Sequence, residues 1–263
     1  MTRPGLVLHQ IRHQNRVFWR VPLAAFFTVA FPLMLLVLFN LLNRGVTLPS
    51  MGGLPYAQFF TPAIAVFAMV SATYTSVAIQ TGIDRDDGIL KRVRGTPLPP
   101  GTYLAGRIGS ALWIGVLSVA ATMATGVLAF DVVVLWDRVP MALLVLTVGA
   151  ACFCALGLAL AAAASNAQSA QALANATILP LAFISGIFFP LDTAPAWMGA
   201  IAGIFPLQAF VEAFGAQWNP LAEPGIPWAD LGIMVAWFAA AVVVARRTFT
   251  WEPRPGGSRR RRR

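Results

Sequence analysis

Charged residues are scarce in this 263-residue chain, at 11% of the sequence against the roughly 25% of an ordinary soluble domain. Hydrophobic residues make up 58%, and the mean hydropathy is +0.71. A chain with so little polar surface cannot cover a water-facing globule. The composition therefore predicts an integral membrane protein, with lipid as part of its solvent.

Metal ligands are also few. The two cysteines, Cys152 and Cys154, lie inside an apolar run, and two side chains this far apart on a helix point in different directions. They are too few for a zinc site, which usually takes four ligands. His9 and His13 are spaced for one helix face, but no third ligand lies near them in the sequence. We expect no metal site and no disulfide.

Nucleotide-binding and hydrolase motifs are absent. Lys91 is the sole lysine and follows Leu90, which rules out the phosphate-binding loop GxxxxGK[ST]. GxSxG and HExxH do not occur either. We expect a non-catalytic chain that binds no cofactor of its own. The acidic residues fall outside the apolar runs or at their ends, which argues against an ion-coupled carrier. A carrier whose sodium site is built from carbonyl and hydroxyl oxygens remains an alternative.

Long apolar runs are what the sequence does contain. A helix needs about 20 apolar residues to cross the hydrocarbon core. Six windows meet this length or approach it: 22–42, 57–80, 104–129, 140–163, 172–189 and 228–245. The first is too long for the apolar part of a signal peptide, and the fifth is the shortest and contains Pro180. The prediction is an all-α integral membrane protein with six transmembrane helices.

The basic residues fall on one side of this six-span arrangement. Residues 1–20 carry four, residues 81–107 carry five and residues 246–263 carry eight, which leaves Arg44 and Arg138 for the other side. Basic connections stay in the cytoplasm, so both termini are predicted to be cytoplasmic. The net charge of +9 then suits anionic membrane lipid better than nucleic acid.

Three regions are expected along the chain. We expect residues 1–21 to form an amphipathic helix that lies in the cytoplasmic interface. Residues 22–245 are expected to form the six-span domain, and residues 246–263 a basic cytoplasmic tail. Residues 190–227, between spans five and six, are rich in proline yet too apolar for a solvated loop. They predict short helices that re-enter the membrane.

Three short motifs carry a family resemblance. Residues 85–92 with Thr96-Pro97-Leu98 are similar to the pattern [RE]-x-G-[TF]-L-x-R…T-P-L. Residues 185–190 (SGIFFP) are similar to S-G-x-x-F-P, and residues 206–213 to P-L…[DE]-A. In this order they resemble type-2 permeases of bacterial ABC exporters, the group that includes the daunorubicin exporter permease. Three positions depart from the family pattern: Asp86 replaces Glu, Ile89 replaces Thr and Phe205 replaces Asn.

The resemblance implies a bacterial plasma-membrane permease that works with a separate nucleotide-binding ATPase, which holds ATP and Mg. A second copy of this chain or a paralogous permease would complete the pair. The connection between spans two and three would then be a coupling helix that docks into the ATPase. We expect three acids (Asp84, Asp86 and Asp87) at its N-terminus and a docking face of Ile89, Leu90 and Val93. The coupling candidates are Asp86, Asp87, Gly88, Ile89, Leu90, Lys91, Arg92, Val93 and Arg94.

Spans two and five are rich in phenylalanine and lack charge, and by the resemblance they face a central cavity. The pathway candidates are Phe59, Phe60, Phe67, Phe183, Phe188 and Phe189. An apolar, uncharged lining of this kind suits a lipophilic or amphiphilic substrate such as a drug, a lipid or a glycolipid. An ion-coupled secondary transporter and a membrane assembly protein without transport activity remain the alternatives.

Overall fold

The structure is a computed structural model that describes residues 3–95, 99–191 and 195–249. Within these ranges it is mostly helical. The helices are α1 (Arg3–Trp19), α2 (Pro22–Ala25), α3 (Phe31–Leu42), α4 (Tyr56–Val70), α5 (Ser76–Asp86), α6 (Ile89–Arg94), α7 (Pro100–Phe130), α8 (Val139–Ala163), α9 (Ala167–Ile184), α10 (Ala196–Ala202), α11 (Pro206–Ala216) and α12 (Trp228–Thr248). Two short strands, β1 (Thr47–Leu48) and β2 (Leu54–Pro55), form an antiparallel hairpin.

Two wide π-helical turns interrupt the long helices. Phe26–Ala30 joins α2 to α3, and Ser71–Thr75 joins α4 to α5. The two turns pack against each other, and the hydroxyl oxygens of Thr28 and Ser76 lie 3.5 Å apart. Single π-helical turns are rare and are frequently found at functional sites.

Four helical stretches are long and apolar enough to cross a membrane: Tyr56–Asp86, Gly101–Phe130, Trp136–Ala163 and Trp228–Thr248. They match the predicted spans two, three, four and six. The first predicted span corresponds to a shorter apolar helix, Phe26–Leu42. The fifth corresponds to α9, which ends five residues before the predicted window because Gly186 adopts a positive φ of 76° and turns the chain.

The helices alternate in direction between two ends of the bundle. At one end, which we call the basic end, residues 84–107 meet residues 161–167. At the other, the loop end, Gln58 bonds the backbone of Val133 and Trp218, and Arg138 bonds three carbonyls of residues 216–222. Arg107 and Arg138 thus lie at opposite ends, as the basic-residue pattern predicts, and which end faces the cytoplasm stays a prediction.

Helix packing depends on small residues. A side chain at Gly157 of α8 would lie 2.7 Å from the backbone oxygen of Tyr74, and one at Gly149 would meet the ring of Phe210. The alanines of α8 also pack closely, since Ala155 and Ala159 form one cluster with Ala241 of α12. Small residues allow helices to approach in lipid, where the hydrophobic effect does not drive them together.

Helix α1 lies where the amphipathic interfacial helix was predicted, and it packs against α7. Gln14 and Phe18 are buried, while Arg12 and Arg16 are exposed. Gly106 and Gly109 of α7 leave room for Gln10 and Ile11 at this contact. Its placement in the membrane interface stays a prediction.

The connection after α9 contains two short helices, α10 and α11, where short helices were predicted. Helix α11 is largely buried among α4, α8 and α12, and its Phe210 is completely buried. It therefore forms part of the core rather than a loop. The tail from residue 250 onward lies outside the described residues.

Candidate coupling site

Helix α5 ends differently from the prediction. Asp84 and Asp86 belong to its last turn, Asp87 follows it, and Gly88 turns the chain with a φ of 68° before α6 begins at Ile89. The prediction that these acids form the first turn of one coupling helix is therefore wrong. Acids at a helix C-terminus oppose the helix dipole, so their position needs another stabilising contact.

Asp84 finds that contact on α7. Its carboxylate accepts hydrogen bonds from the hydroxyl of Tyr103 and from the guanidinium of Arg107. Arg107 also donates to the Tyr103 oxygen at 3.0 Å. The Asp84 and Arg107 side chains are 12% and 9% exposed, so the ion pair is buried. A buried pair of this kind is strongly destabilised when one partner is removed.

Arg85 binds the end of α8. Its guanidinium donates to the carbonyl oxygens of Ala161 and Ala164, each at 2.8 Å. The last four carbonyls of a helix have no partner inside the helix, and a cation there also complements the helix dipole. The side chain is 3% exposed. Arg85 therefore caps α8 from within the bundle.

Asp86 binds the beginning of α9. Its carboxylate accepts a hydrogen bond of 2.6 Å from the backbone N–H of Ala167, the first residue of that helix. Negative charge is favourable at a helix N-terminus. Gly82 adds a close backbone approach, because a side chain there would lie 3.1 Å from the Ala167 Cα. We call Asp84, Arg85 and Asp86 the α5 anchor: three consecutive residues bind α7, α8 and α9.

Helix α6 presents a different face from the one predicted. Leu90 is completely buried within the chain, whereas Lys91 and Arg92 are exposed and Ile89 is half-buried. Arg92 also donates to the Asp87 carbonyl at 3.1 Å. The expectation that Leu90 belongs to a free docking face is therefore wrong, because the residue fixes α6 to the bundle. Val93 is half-buried too, and the side chain of Arg94 and residues 96–98 lie outside the described parts.

The six predicted pathway phenylalanines differ in burial, and their role in a pathway stays a prediction. Phe60 and Phe67 are buried in the core of the chain, while Phe183 is 54% exposed. Phe188 joins the two sets, with its ring centroid 6.3 Å from that of Phe67 and 4.9 Å from that of Phe183. Phe189 is half-buried.

Phe59 lies on a cavity of about 370 Å³ at the loop end. Ser185, Glu212 and Asp230 line the same cavity, and Gln208 donates to the Glu212 carboxylate at 2.5 Å. The cavity therefore carries two carboxylates. The two carboxylates lie on α11 and α12, so the expectation that the lining from spans two and five is uncharged stays a prediction.

Two residues of the site, Tyr103 and Arg107, lie outside the predicted coupling connection 84–98; Asp84 and Arg85 lie within it but were not among the coupling candidates. One signal was available, because Arg107 stands four residues into an apolar span, where an ionised residue requires a partner. Among the described residues, no cluster of three His, Cys, Asp or Glu side chains could hold a metal ion.

Apolar helices that alternate in direction define a multi-pass membrane protein. The profile of the family described as "ABC-2 type transporter" matches residues 7–216. The chain therefore belongs to the ABC-2 type transporter family, as the motifs indicated. It is 30% identical over 193 residues to the daunorubicin resistance ABC transporter permease protein DrrB1 of Streptomyces coeruleorubidus. The aligned region covers 73% of this chain and 67% of that protein. Family membership makes it a transporter permease and implies a partner ATPase subunit.

Proposed function

We propose that this chain is the non-catalytic permease subunit of an ATP-driven exporter in the bacterial plasma membrane. It crosses the membrane six times with both termini in the cytoplasm. Two copies, or this chain and a paralogous permease, bind two separate ATPase subunits that hold ATP and Mg. The basic end of the bundle is the cytoplasmic end.

The observation that carries this proposal is the α5 anchor. A force applied to α6 passes through Gly88 into the last turn of α5, where Asp84, Arg85 and Asp86 contact three other helices. Closure of an ATPase dimer would in this way shift the whole basic end between two arrangements. A ligand that binds one arrangement more tightly changes the populations of both, which is what coupling requires.

The ATPase-binding surface that we propose is the exposed side of α6, together with the adjoining turn. Asp86, Asp87, Lys91 and Arg92 are exposed and provide charges of both signs, and Ile89 adds a small apolar contact. Leu90 on the opposite side keeps α6 attached to the bundle. Charges around an apolar contact govern the association rate and the specificity more than the total affinity.

Charge reversal at this surface tests the proposal. The variant Lys91→Glu with Arg92→Glu, reconstituted in vesicles with its ATPase, should lose ATPase binding and ATP-dependent transport while the permease keeps its unfolding temperature. Arg44→Glu is the matched control, since Arg44 is exposed beyond α3, at the loop end. Normal ATPase stoichiometry in the double variant would rule out this surface. Transport that persists without any ATPase would instead favour an ion-coupled carrier.

The substrate that we propose is a lipophilic or amphiphilic molecule, and one with a cationic group fits the loop-end cavity best. Phe59 offers an aromatic face, and the carboxylates of Glu212 and Asp230 offer negative charge in the same cavity. Aromatic faces and carboxylates both attract cations.

Glu212→Gln with Asp230→Asn should lower the transport of a cationic fluorescent amphiphile several-fold and leave its uncharged analogue unchanged. Glu223→Gln removes an exposed carboxylate that does not line the cavity, and serves as the control. Equal effects on both analogues would show that these carboxylates do not select for charge.

A further inference from the structure

A second cavity, of about 590 Å³, opens between α7, α8 and α12. Leu104 and Leu112 of α7, Ala151 and Leu158 of α8, and Val242 of α12 belong to its apolar lining. Arg246, in the last turn of α12, is the charged residue that lines it. We call this cavity the α12 groove. It shares no lining residue with the α5 anchor or with the loop-end cavity.

The dimensions of the groove indicate what can occupy it. Leu104 and Leu112 are eight residues apart on one helix, which gives a length of about 12 Å at 1.5 Å per residue. This is close to half of the roughly 30 Å hydrocarbon core, or one leaflet. The groove is therefore long enough for the hydrocarbon chains of one lipid leaflet.

Charge distinguishes the two ends of the groove. Arg246 lies at the basic end, at the level of Leu104 near the beginning of α7, where the hydrocarbon meets the headgroups. Arg246 is exposed and forms no salt bridge within the described residues. An apolar slot as long as one leaflet with a cation at its headgroup end complements a lipid that has an anionic headgroup.

We propose that the α12 groove binds an anionic phospholipid of the leaflet that faces the basic end. The acyl chains lie along Leu112 and Ala151, and the phosphate pairs with Arg246. The bound lipid fills the space between α12 and the α7–α8 pair and so becomes part of the helix packing. The site does not depend on the exporter proposal, because it rests on the shape and charge of the groove.

The test is native mass spectrometry of the delipidated full chain, titrated with phosphatidylglycerol and with phosphatidylcholine of the same acyl chains. The expected result is one phosphatidylglycerol per chain, bound more tightly than phosphatidylcholine. Arg246→Gln should weaken phosphatidylglycerol binding about fivefold, since one Arg near an anionic headgroup contributes about 1 kcal/mol. Arg247→Gln is the matched control, as the adjacent exposed arginine does not line the groove. The basic tail is the same in every variant, so its contribution cancels.

A second pair of variants tests the slot itself. Ala151→Phe fills the groove and should abolish the tight binding of both lipids, whereas Leu144→Phe, at an exposed position of the same helix, should not. Equal losses for Arg246→Gln and Arg247→Gln, or equal affinity for the two lipids, would overturn the proposal. So would a change in oligomeric state with Ala151→Phe while lipid binding is retained, because a second copy would then occupy the groove.

Discussion

The buried ion pair between Asp84 and Arg107 allows a quantitative prediction. Asp84→Ala leaves the Arg107 guanidinium 9% exposed without its carboxylate, and removes the acceptor of the Tyr103 hydroxyl. Breaking a buried pair by removing one partner costs about 3–5 kcal/mol. Uncharged hydrogen bonds between membrane helices are worth only about 0.6 kcal/mol on average. We therefore expect a loss well above that of an ordinary polar contact.

The assay is reversible unfolding of the purified chain in mixed micelles, followed by tryptophan fluorescence. Asp137→Ala is the control, since Asp137 also pairs with an arginine, at 3.9 Å, but its side chain is 73% exposed. An exposed pair contributes less than about 1 kcal/mol. The double variant Asp84→Ala with Arg107→Met should recover much of the lost stability, because no unpaired charge is left in the bundle. A loss below about 1 kcal/mol for Asp84→Ala, or no recovery in the double variant, would refute this account.

Four further predictions concern packing and topology. Leu90→Ala should lower the free energy of unfolding by about 2–5 kcal/mol, as for other buried leucines, although the residue lies in a charged connection. Gly157→Ala should destabilise the chain by about 1–3 kcal/mol because the new methyl group meets the Tyr74 carbonyl. Gly232→Ala, with open space around it, should stabilise the chain by up to about 1 kcal/mol in the same unfolding assay. Single cysteines at position 44 should react with an impermeant reagent added to whole cells, and those at position 92 should not; the opposite labelling would reverse the proposed orientation.

The sequence was sufficient to predict the long helices, because a transmembrane helix is specified locally by the number of consecutive apolar residues. The two short helices after α9 were also predictable from their apolar content. The end of α9 was not predicted accurately. Residues 185–189 are as apolar as the helix before them, and only the positive φ of Gly186 ends the helix there.

The coupling site was predicted only in part, because its geometry depends on distant partners. Asp84 was assigned to a helix N-terminus from its neighbours in the sequence, but its position is decided by Arg107 on another helix. Arg85 was counted as one more cytoplasmic charge, whereas it caps α8. Leu90 was assigned to a docking face because it lies beside Ile89 and Val93, which are four residues apart on a helix. Its burial depends instead on how α6 folds back toward α5 and α7.

The π-helical turn at Ser71–Thr75 determines where this stretch of the chain can lose a residue without rotating the helix that follows it. Such a turn contains one residue more than an α-helical turn and absorbs it locally. The helices on either side therefore keep the rotation about the helix axis that one continuous α-helix would give them. Loss of one residue within it would leave an ordinary α-helix, with Asp84 still facing Arg107. Loss of one residue within α5 would instead rotate Asp84 and Arg85 by about 100° away from their partners. The same stretch of chain thus contains a position that tolerates a deletion, directly followed by a helix that does not.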